Sequence, residues 1–310
     1  MDGVSPLIRP GVLAPLLGSV PPPVVLDVRW RLGGPPGLPD HLAGHLPGAV
    51  FIDLGAELAD PSGPGGRHPL PDRGRLAETF ASAGVRAAST VIAYDDGDGS
   101  VAARAWWLLR WLGFPQERVM VLDGGWAAWR AGGHPVSTGV PVSAKAPAPV
   151  VPAYDPAPSW GQLMPPAGGM PVLDADDAAG LARHGVLLDA RASTRYRGDT
   201  EPVDPRAGHI PGARNAPFGE HLGPDGYWRA PAELAERFRE LGVTPDGPVG
   251  AYCGSGVTAC SVVLALEYSG LRAPLHRPAA LYAGSWSQWS ADPSRPVALG
   301  ARPEDEADSQ

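Results

Sequence analysis

Lysine is nearly missing from this chain. One residue, Lys145, stands between Ala144 and Ala146, and every other basic side chain apart from histidine is arginine. A phosphate-binding loop of the Gly-Lys-Ser/Thr type needs lysine directly after glycine, so that class is excluded. Cysteine is equally scarce. Two residues, Cys253 and Cys260, exclude a disulfide framework and any cysteine-built zinc or iron–sulfur site. Positive charge is in deficit, with 25 Lys and Arg against 33 Asp and Glu and a net charge of −8. Neither nucleic acid nor a membrane surface is therefore expected as a primary partner. No apolar run approaches the roughly 18 residues of a membrane span. Residues 1–17 hold one arginine and the prolines Pro6, Pro10 and Pro15, unlike the basic region and continuous apolar core of a secretory leader. The expected location is cytoplasmic.

Glycine and proline are abundant, at 41 and 38 residues. The 10 tryptophans and 44% hydrophobic content nevertheless supply enough apolar surface to offset chain entropy, which points to a folded protein with long loops. At roughly 150 residues per domain, 310 residues suggest two domains. The sequence repeats itself accordingly. Val24-Val25-Leu26-Asp27-Val28-Arg29 resembles Val186-Leu187-Leu188-Asp189-Ala190-Arg191. His45-Leu46-Pro47-Gly48-Ala49 resembles His209-Ile210-Pro211-Gly212-Ala213. Val91-Ile92-Ala93-Tyr94-Asp95 resembles Val249-Gly250-Ala251-Tyr252-Cys253. Gly124-Gly125-Trp126 with Trp129 resembles Gly284-Ser285-Trp286 with Trp289. Four ordered pairs at a spacing of about 160 residues indicate two copies of one domain, since solenoid periods are far shorter. The expected division is a first domain over 1–140, a Pro/Ala-rich linker over 141–165, a second domain over 166–300 and an acidic tail over 301–310. Asp27 with Arg29, recurring as Asp189 with Arg191, reads as structural, as do His45 and His209 in their turns.

Short apolar runs at 24–28, 90–93, 119–122, 186–189 and 249–252 read as parallel strands buried on both faces. Continuously apolar stretches at 101–112 and 257–268 read as largely buried helices. This alternation predicts an α/β fold in each copy, a mostly parallel sheet flanked by helices. Ligands of such sheets bind where strand gives way to helix.

The two copies differ at that location. The second has Cys253-Gly254-Ser255-Gly256-Val257-Thr258, and the first has Asp95-Asp96-Gly97-Asp98-Gly99. Small residues let successive backbone N–H groups converge, and the following helix adds its unpaired amides and positive dipole end. Such a cradle favours a thiolate and would equally stabilise the terminal sulfur of a persulfide. From the loop alone, Cys253 reads either as a nucleophile or as a small buried cysteine. Three rival motifs fail. Gly254-Ser255-Gly256-Val257-Thr258-Ala259 satisfies a dinucleotide fingerprint, but Glu267 falls inside the helix rather than at the end of the next strand. A cysteine phosphatase needs arginine where Ala259 stands, and a serine-hydrolase elbow needs glycine where Cys253 stands. Cys260, two helical turns after Cys253, reads as core.

On these residues the chain resembles the two-domain rhodanese-like sulfurtransferases over about residues 20–295. The resemblance rests on the duplication, Asp95 in the cysteine's place in the first copy, His209-Ile210-Pro211-Gly212-Ala213, Gly284-Ser285-Trp286 and the six-residue loop. It implies a catalytic second domain, a Cys253 persulfide intermediate and no metal or organic cofactor. Thiosulfate-type members resemble Cys-Arg-Lys-Gly-Val-Thr in this loop. The 3-mercaptopyruvate type resembles Cys-Gly-Ser-Gly-Val-Thr, as here. That type also implies Arg195 and Arg206 as the grip on the substrate carboxylate and keto oxygen, with Arg197 as a substitute, because arginine offers paired donors to a planar carboxylate. The 195–206 segment is about two residues longer than the family pattern. The same type implies a relay in which Asp53 fixes His68 and His68 orients Ser255, delivering a proton to the departing enolate; the other reading of these three is structural hydrogen bonding.

The expected activity is transfer of a sulfane sulfur from 3-mercaptopyruvate through Cys253 to cyanide or a thiol acceptor such as thioredoxin or a small thiol. Gly254, Gly256, Val257 and Thr258 are expected to shape the binding loop. The alternatives are thiosulfate as donor, or a persulfide carrier module serving a partner enzyme.

Overall fold

The structure, a computed structural model, describes residues 5–139, 169–272 and 277–303. The expected linker over 141–165 and most of the expected tail lie outside them. The first unit takes the described residues up to Leu58 together with Pro71–Gly169. The second takes Ala59–Leu70 and the described residues from Met170 onward. A short excursion of the first half of the sequence thus packs with the second unit.

In the first unit, β1 (Leu7–Ile8), β2 (Val24–Asp27), β3 (Val50–Phe51), β4 (Val91–Tyr94) and β5 (Val119–Leu122) form a parallel sheet in the order β1-β5-β4-β2-β3. In the second, β6 (Val172–Leu173), β7 (Val186–Asp189), β8 (Arg214–Asn215), β9 (Val249–Tyr252) and β10 (Ala280–Tyr282) take the matching order β6-β10-β9-β7-β8. The central registers match as well: Val24 to Asp27 oppose Val91 to Tyr94, and Val186 to Asp189 oppose Val249 to Tyr252. The expected α/β architecture is therefore built twice.

Helices flank both sheets. The first unit has α1 (Pro10–Leu16), α2 (Leu38–Ala43), α3 (Leu54–Glu57), α4 (Arg73–Ser82), α5 (Ala102–Trp111) and α6 (Gly125–Ala131). The second has α7 (Ala175–His184), α8 (Ser193–Arg197), α9 (Pro231–Glu240), α10 (Ala259–Tyr268) and α11 (Ser285–Trp289). α5 and α10, which follow the two central strands, are buried along most of their length, so their apolar residues need no amphipathic pattern. α9 instead buries one stripe, Leu234, Ala235 and Phe238. Among the described residues no helix is long and apolar enough to cross a membrane.

The repeated polar pairs fasten each sheet internally. Arg29 donates from Nε and Nη2 to Asp27 at 2.9 and 2.6 Å and from Nη2 to the Gly44 carbonyl at 2.8 Å. Arg191 treats Asp189 and the Gly208 carbonyl in the same way, at 3.0, 2.6 and 2.7 Å. Both pairs are buried, where paired ionic donors satisfy charges that would otherwise be costly. His45 and His209 also serve the fold, each placing Nδ1 2.8 Å from a backbone carbonyl, of His41 and Tyr196 respectively.

Candidate active site

β9 ends at Tyr252, and its next residue, Cys253, sits at the carboxyl end of the central strand of the second sheet. Cys253 is buried. Its Sγ accepts the Gly256 N–H at 3.1 Å. Gly256 has φ +76°, and a Cβ there would stand 2.4 Å from the Ala283 carbonyl oxygen, so the turn that aims this N–H at sulfur requires glycine. The Cys253 N–H donates to Ser285 Oγ at 3.2 Å, and Ser285 donates to the Tyr282 carbonyl at 2.8 Å. The carbonyls of Cys253 and Gly254 accept the N–H groups of Trp286 and Ser287 at 3.0 and 2.9 Å. The loop is thus fastened to the start of α11. Val257 is buried, and Thr258 holds the N-cap position of α10 without a side-chain capping bond. Cys260 lies in the core, its Sγ 3.3 Å from the Gly256 carbonyl.

Ser255 Oγ lies 2.8 Å from His68 Nδ1, which brings together two members of the expected relay. His68 arrives on the Ala59–Leu70 excursion. Gln288 Nε2 donates to the Pro64 carbonyl at 3.0 Å, and the Arg67 N–H donates to Ser287 Oγ at 3.1 Å, so α11 anchors this segment too. Gly66, at φ +100°, passes so close that a Cβ would lie 2.6 Å from the Gly284 carbonyl oxygen. Asp53 belongs to the first unit, where it caps α3. Its carboxylate accepts the Ala56 N–H at 2.9 Å and its own N–H donates to Glu57 at 2.7 Å.

Of the three arginines, Arg195 is the one beside the loop. A Cβ on Gly254 would lie 3.5 Å from its Nη1. Arg197 is two positions further along α8, about 200° round the helix. It faces away and pairs with Asp199 at 2.7 Å. Arg206 is placed elsewhere too. Its guanidinium donates to the carbonyls of Ser290, Arg295, Trp289 and Asp292 at 2.8, 2.9, 3.0 and 2.5 Å, which commits it to closing the chain after α11.

A second guanidinium does reach the loop, from a residue the sequence reading passed over. Arg67 Nη2 would lie 2.9 Å from a Cβ on Gly254. Its adjacency to His68 was the available signal. Arg67 and Arg195 share the carboxylate of Asp204, the latter at 3.1 Å, and Arg195 also holds Glu201 at 2.6 Å. Burial works against the ionised form of Glu201, but its hydrogen bond from Arg195 and those from backbone N–H groups hold its carboxyl below the usual range. Asp204 goes the other way: burial, with Glu201's charge beside it, pushes its carboxyl up despite the two guanidiniums.

The corresponding place in the first unit is filled by a side chain. Asp95 accepts the N–H groups of Gly97 and Gly99 on one oxygen, at 3.0 Å each. Its other oxygen accepts those of Val101 and Ala102, at 2.9 and 3.0 Å.

Comparison with known proteins agrees with the duplicated fold. The model of the rhodanese-like domain matches residues 14–132 and again 174–292. A Pseudomonas aeruginosa protein provisionally named 3-mercaptopyruvate sulfurtransferase is 45% identical over 287 residues, covering 91% of this chain and 94% of that protein. A Mycobacterium tuberculosis protein, SseB, provisionally named thiosulfate sulfurtransferase, is 41% identical over 305 residues, covering 95% of this chain and 97% of its own. The crystal structure of SseA from Escherichia coli, described as a 3-mercaptopyruvate sulfotransferase of the rhodanese fold, is similar with a TM-score of 0.73 and 29% identity. That match covers 92% of this chain and all of SseA.

Proposed function

We propose that this chain, which belongs to the rhodanese-like domain family, is a sulfurtransferase that takes its sulfur from 3-mercaptopyruvate. The observation that carries this reading is the contact between His68 and Ser255 beside Cys253, in a loop without a cationic side chain of its own. A mercaptopyruvate donor leaves a carbanionic product that must be protonated, and a Ser–His pair beside the nucleophile suits that task. The Cys253 thiolate attacks the substrate sulfur. The carbon–sulfur bond breaks, and its electron pair passes to the methylene carbon as the enolate of pyruvate. The thiol proton of the substrate is relayed through Ser255 and His68 to that carbon, leaving a Cys253 persulfide anion and pyruvate. The convergent N–H groups of the loop suit the terminal sulfur of the persulfide.

A thiol acceptor then attacks the outer sulfur and restores the Cys253 thiolate. Thioredoxin or a small thiol fits that role, and cyanide can replace the thiol in an assay by attacking the same sulfur to give thiocyanate. No metal or organic cofactor enters these steps, and the activity is assigned to the cytoplasm. Asp53, the third expected member of the relay, keeps its carboxylate on the cap of α3.

A second reading, with thiosulfate as donor, draws on the paired guanidiniums of Arg67 and Arg195 over Gly254 and on the 41% identity to SseB. The deciding experiment is kcat/KM for both donors measured side by side, with cyanide as acceptor and Cys253→Ala as control. Preference for mercaptopyruvate that vanishes in the control supports the first reading. Preference for thiosulfate selects the second, and negligible turnover of both by a reactive Cys253 selects a persulfide carrier.

A further inference from the structure

Four charged side chains gather beside Gly254: Arg67 and Arg195 against Glu201 and Asp204. The side chains of Glu201 and Asp204 are 4% and 3% exposed, so solvent does little to screen them. Glu201 takes the shorter bond from Arg195, at 2.6 Å, and is held by other groups as well. It accepts the backbone N–H groups of Val203 and Asp204 at 3.1 and 3.0 Å and lies 3.4 Å from Arg191. Asp204 has a different position, with one oxygen toward Arg67 and the other toward Arg195. Its carboxylate thus lies against both guanidiniums that border the loop. The Nε of Arg67 is buried without a hydrogen-bond partner among the described residues, so the cluster retains a donor that a further acceptor would satisfy.

We propose that Asp204 is a specificity-determining residue that selects a donor carrying a single carboxylate over a dianionic one. This inference rests on the sulfurtransferase reading and deepens it. With all four side chains ionised, the two cations and two anions cancel. A monoanion entering the cluster can take paired hydrogen bonds from Arg67 and Arg195, while Asp204, the carboxylate common to both, repels it with a single charge. Thiosulfate brings twice the charge and is repelled twice as strongly by Asp204 at the same distance. The two guanidiniums would otherwise favour the dianion. Asp204 thereby takes back the advantage that two cations beside the nucleophile would give thiosulfate.

The balance can be read from one ratio, kcat/KM for thiosulfate divided by kcat/KM for 3-mercaptopyruvate. Asp204→Asn keeps the shape and removes the charge. The ratio should rise about tenfold or more, as expected for one charge acting on a dianion at contact range in a partly buried site. Asp204→Glu, which restores the charge, should return the ratio toward the wild-type value. Arg67→Gln supplies the opposite sign and should lower the ratio, and this arm stands even where an Asp204 variant does not fold. A ratio unchanged within twofold in folded Asp204→Asn, or unchanged in Arg67→Gln, overturns the proposal. The wild-type ratio tests the donor assignment separately: a wild type that prefers thiosulfate defeats that assignment, while the change between variant and wild type still reads the action of Asp204.

Discussion

His68 and Ser255 stand 187 positions apart in the sequence and 2.8 Å apart in the structure. Their contact depends on the Ala59–Leu70 excursion, which leaves the first sheet and is fastened to α11 of the second unit. The chemistry explains why a pair rather than a lone serine is needed. A hydroxyl is a poor proton donor by itself, and an imidazole held against it can take up and return a proton.

The first prediction follows from that pair. Ser255→Ala and His68→Gln should each lower kcat with 3-mercaptopyruvate by about 10²-fold, the usual size of a lost general-acid contribution. Turnover of thiosulfate should fall far less, because sulfite departs as a stable anion without a proton. Steady-state assays with both donors check this. Equal losses with both would show that the pair shapes the loop and does not deliver a proton.

Ser285 supplies a second prediction. It is fully buried and left-handed, with φ +54°, where the first copy has Gly125 at φ +51°. A non-glycine residue in this region carries a backbone cost of about 1–2 kcal/mol. Its return is the Oγ that accepts the Cys253 N–H. Ser285→Gly relieves the strain and loses the acceptor, whereas Ser285→Ala keeps the strain and loses the acceptor. Thermal unfolding should therefore rank the glycine variant above the alanine variant. Both should load persulfide on Cys253 more slowly than wild type in single-turnover mass spectrometry. An alanine variant as stable as wild type would refute the assigned role.

Asp95 gives a third. Its two oxygens accept four backbone N–H groups in the place where the second unit holds the cysteine. The two places correspond closely, since the Asp95 carbonyl accepts the Trp126 N–H at 2.8 Å as the Cys253 carbonyl accepts that of Trp286. Asp95→Asn would turn an NH2 toward two of those donors and leave them unpaired, at a cost of about 2–3 kcal/mol. Urea unfolding should show the transition of the first unit at a lower midpoint. An unchanged midpoint would mean that the four bonds contribute nothing net.

Much of this was legible in the sequence because the informative segments are buried on every side. The central strands at 91–94 and 249–252 and most of their following helices are apolar, so burial and pattern coincide. The Cys253 loop was legible because its glycines have a single geometric use. The arginines were not. Spacing along the sequence could not tell that Arg206 would spend its donors on carbonyls after α11, nor that Arg67 would cross to the second unit. Long side chains are placed by tertiary contacts that no local pattern encodes. The two-residue edge strands β1, β3, β6 and β8 escaped for the same reason: pairing with β5, β2, β10 and β7 defines them, and their own composition does not.

His221 allows the sign of a pH dependence to be worked out. It is 1% exposed, packed between Trp228 and Phe238, and neither ring nitrogen has a hydrogen-bond partner among the described residues. Burial, reinforced by the charge of Arg237, pushes its pKa down to about 3 from the usual 6.5. Between those values the unfolded chain binds a proton that the folded chain refuses. Stability from this group is therefore complete above about pH 6.5 and is lost as pH falls toward 3, at up to about 1.4 kcal/mol per pH unit. At pH 5 the loss amounts to about 2 kcal/mol. His221→Leu removes the titrating group at similar volume. The stability difference between pH 7.5 and pH 5, read from denaturant unfolding, should shrink by about that amount in the variant. A wild-type-sized difference would place the acid sensitivity on other groups. Replacing a buried imidazole with two unpaired nitrogens should also leave the variant at least as stable as wild type at pH 7.5, because the leucine has no polar atom to desolvate.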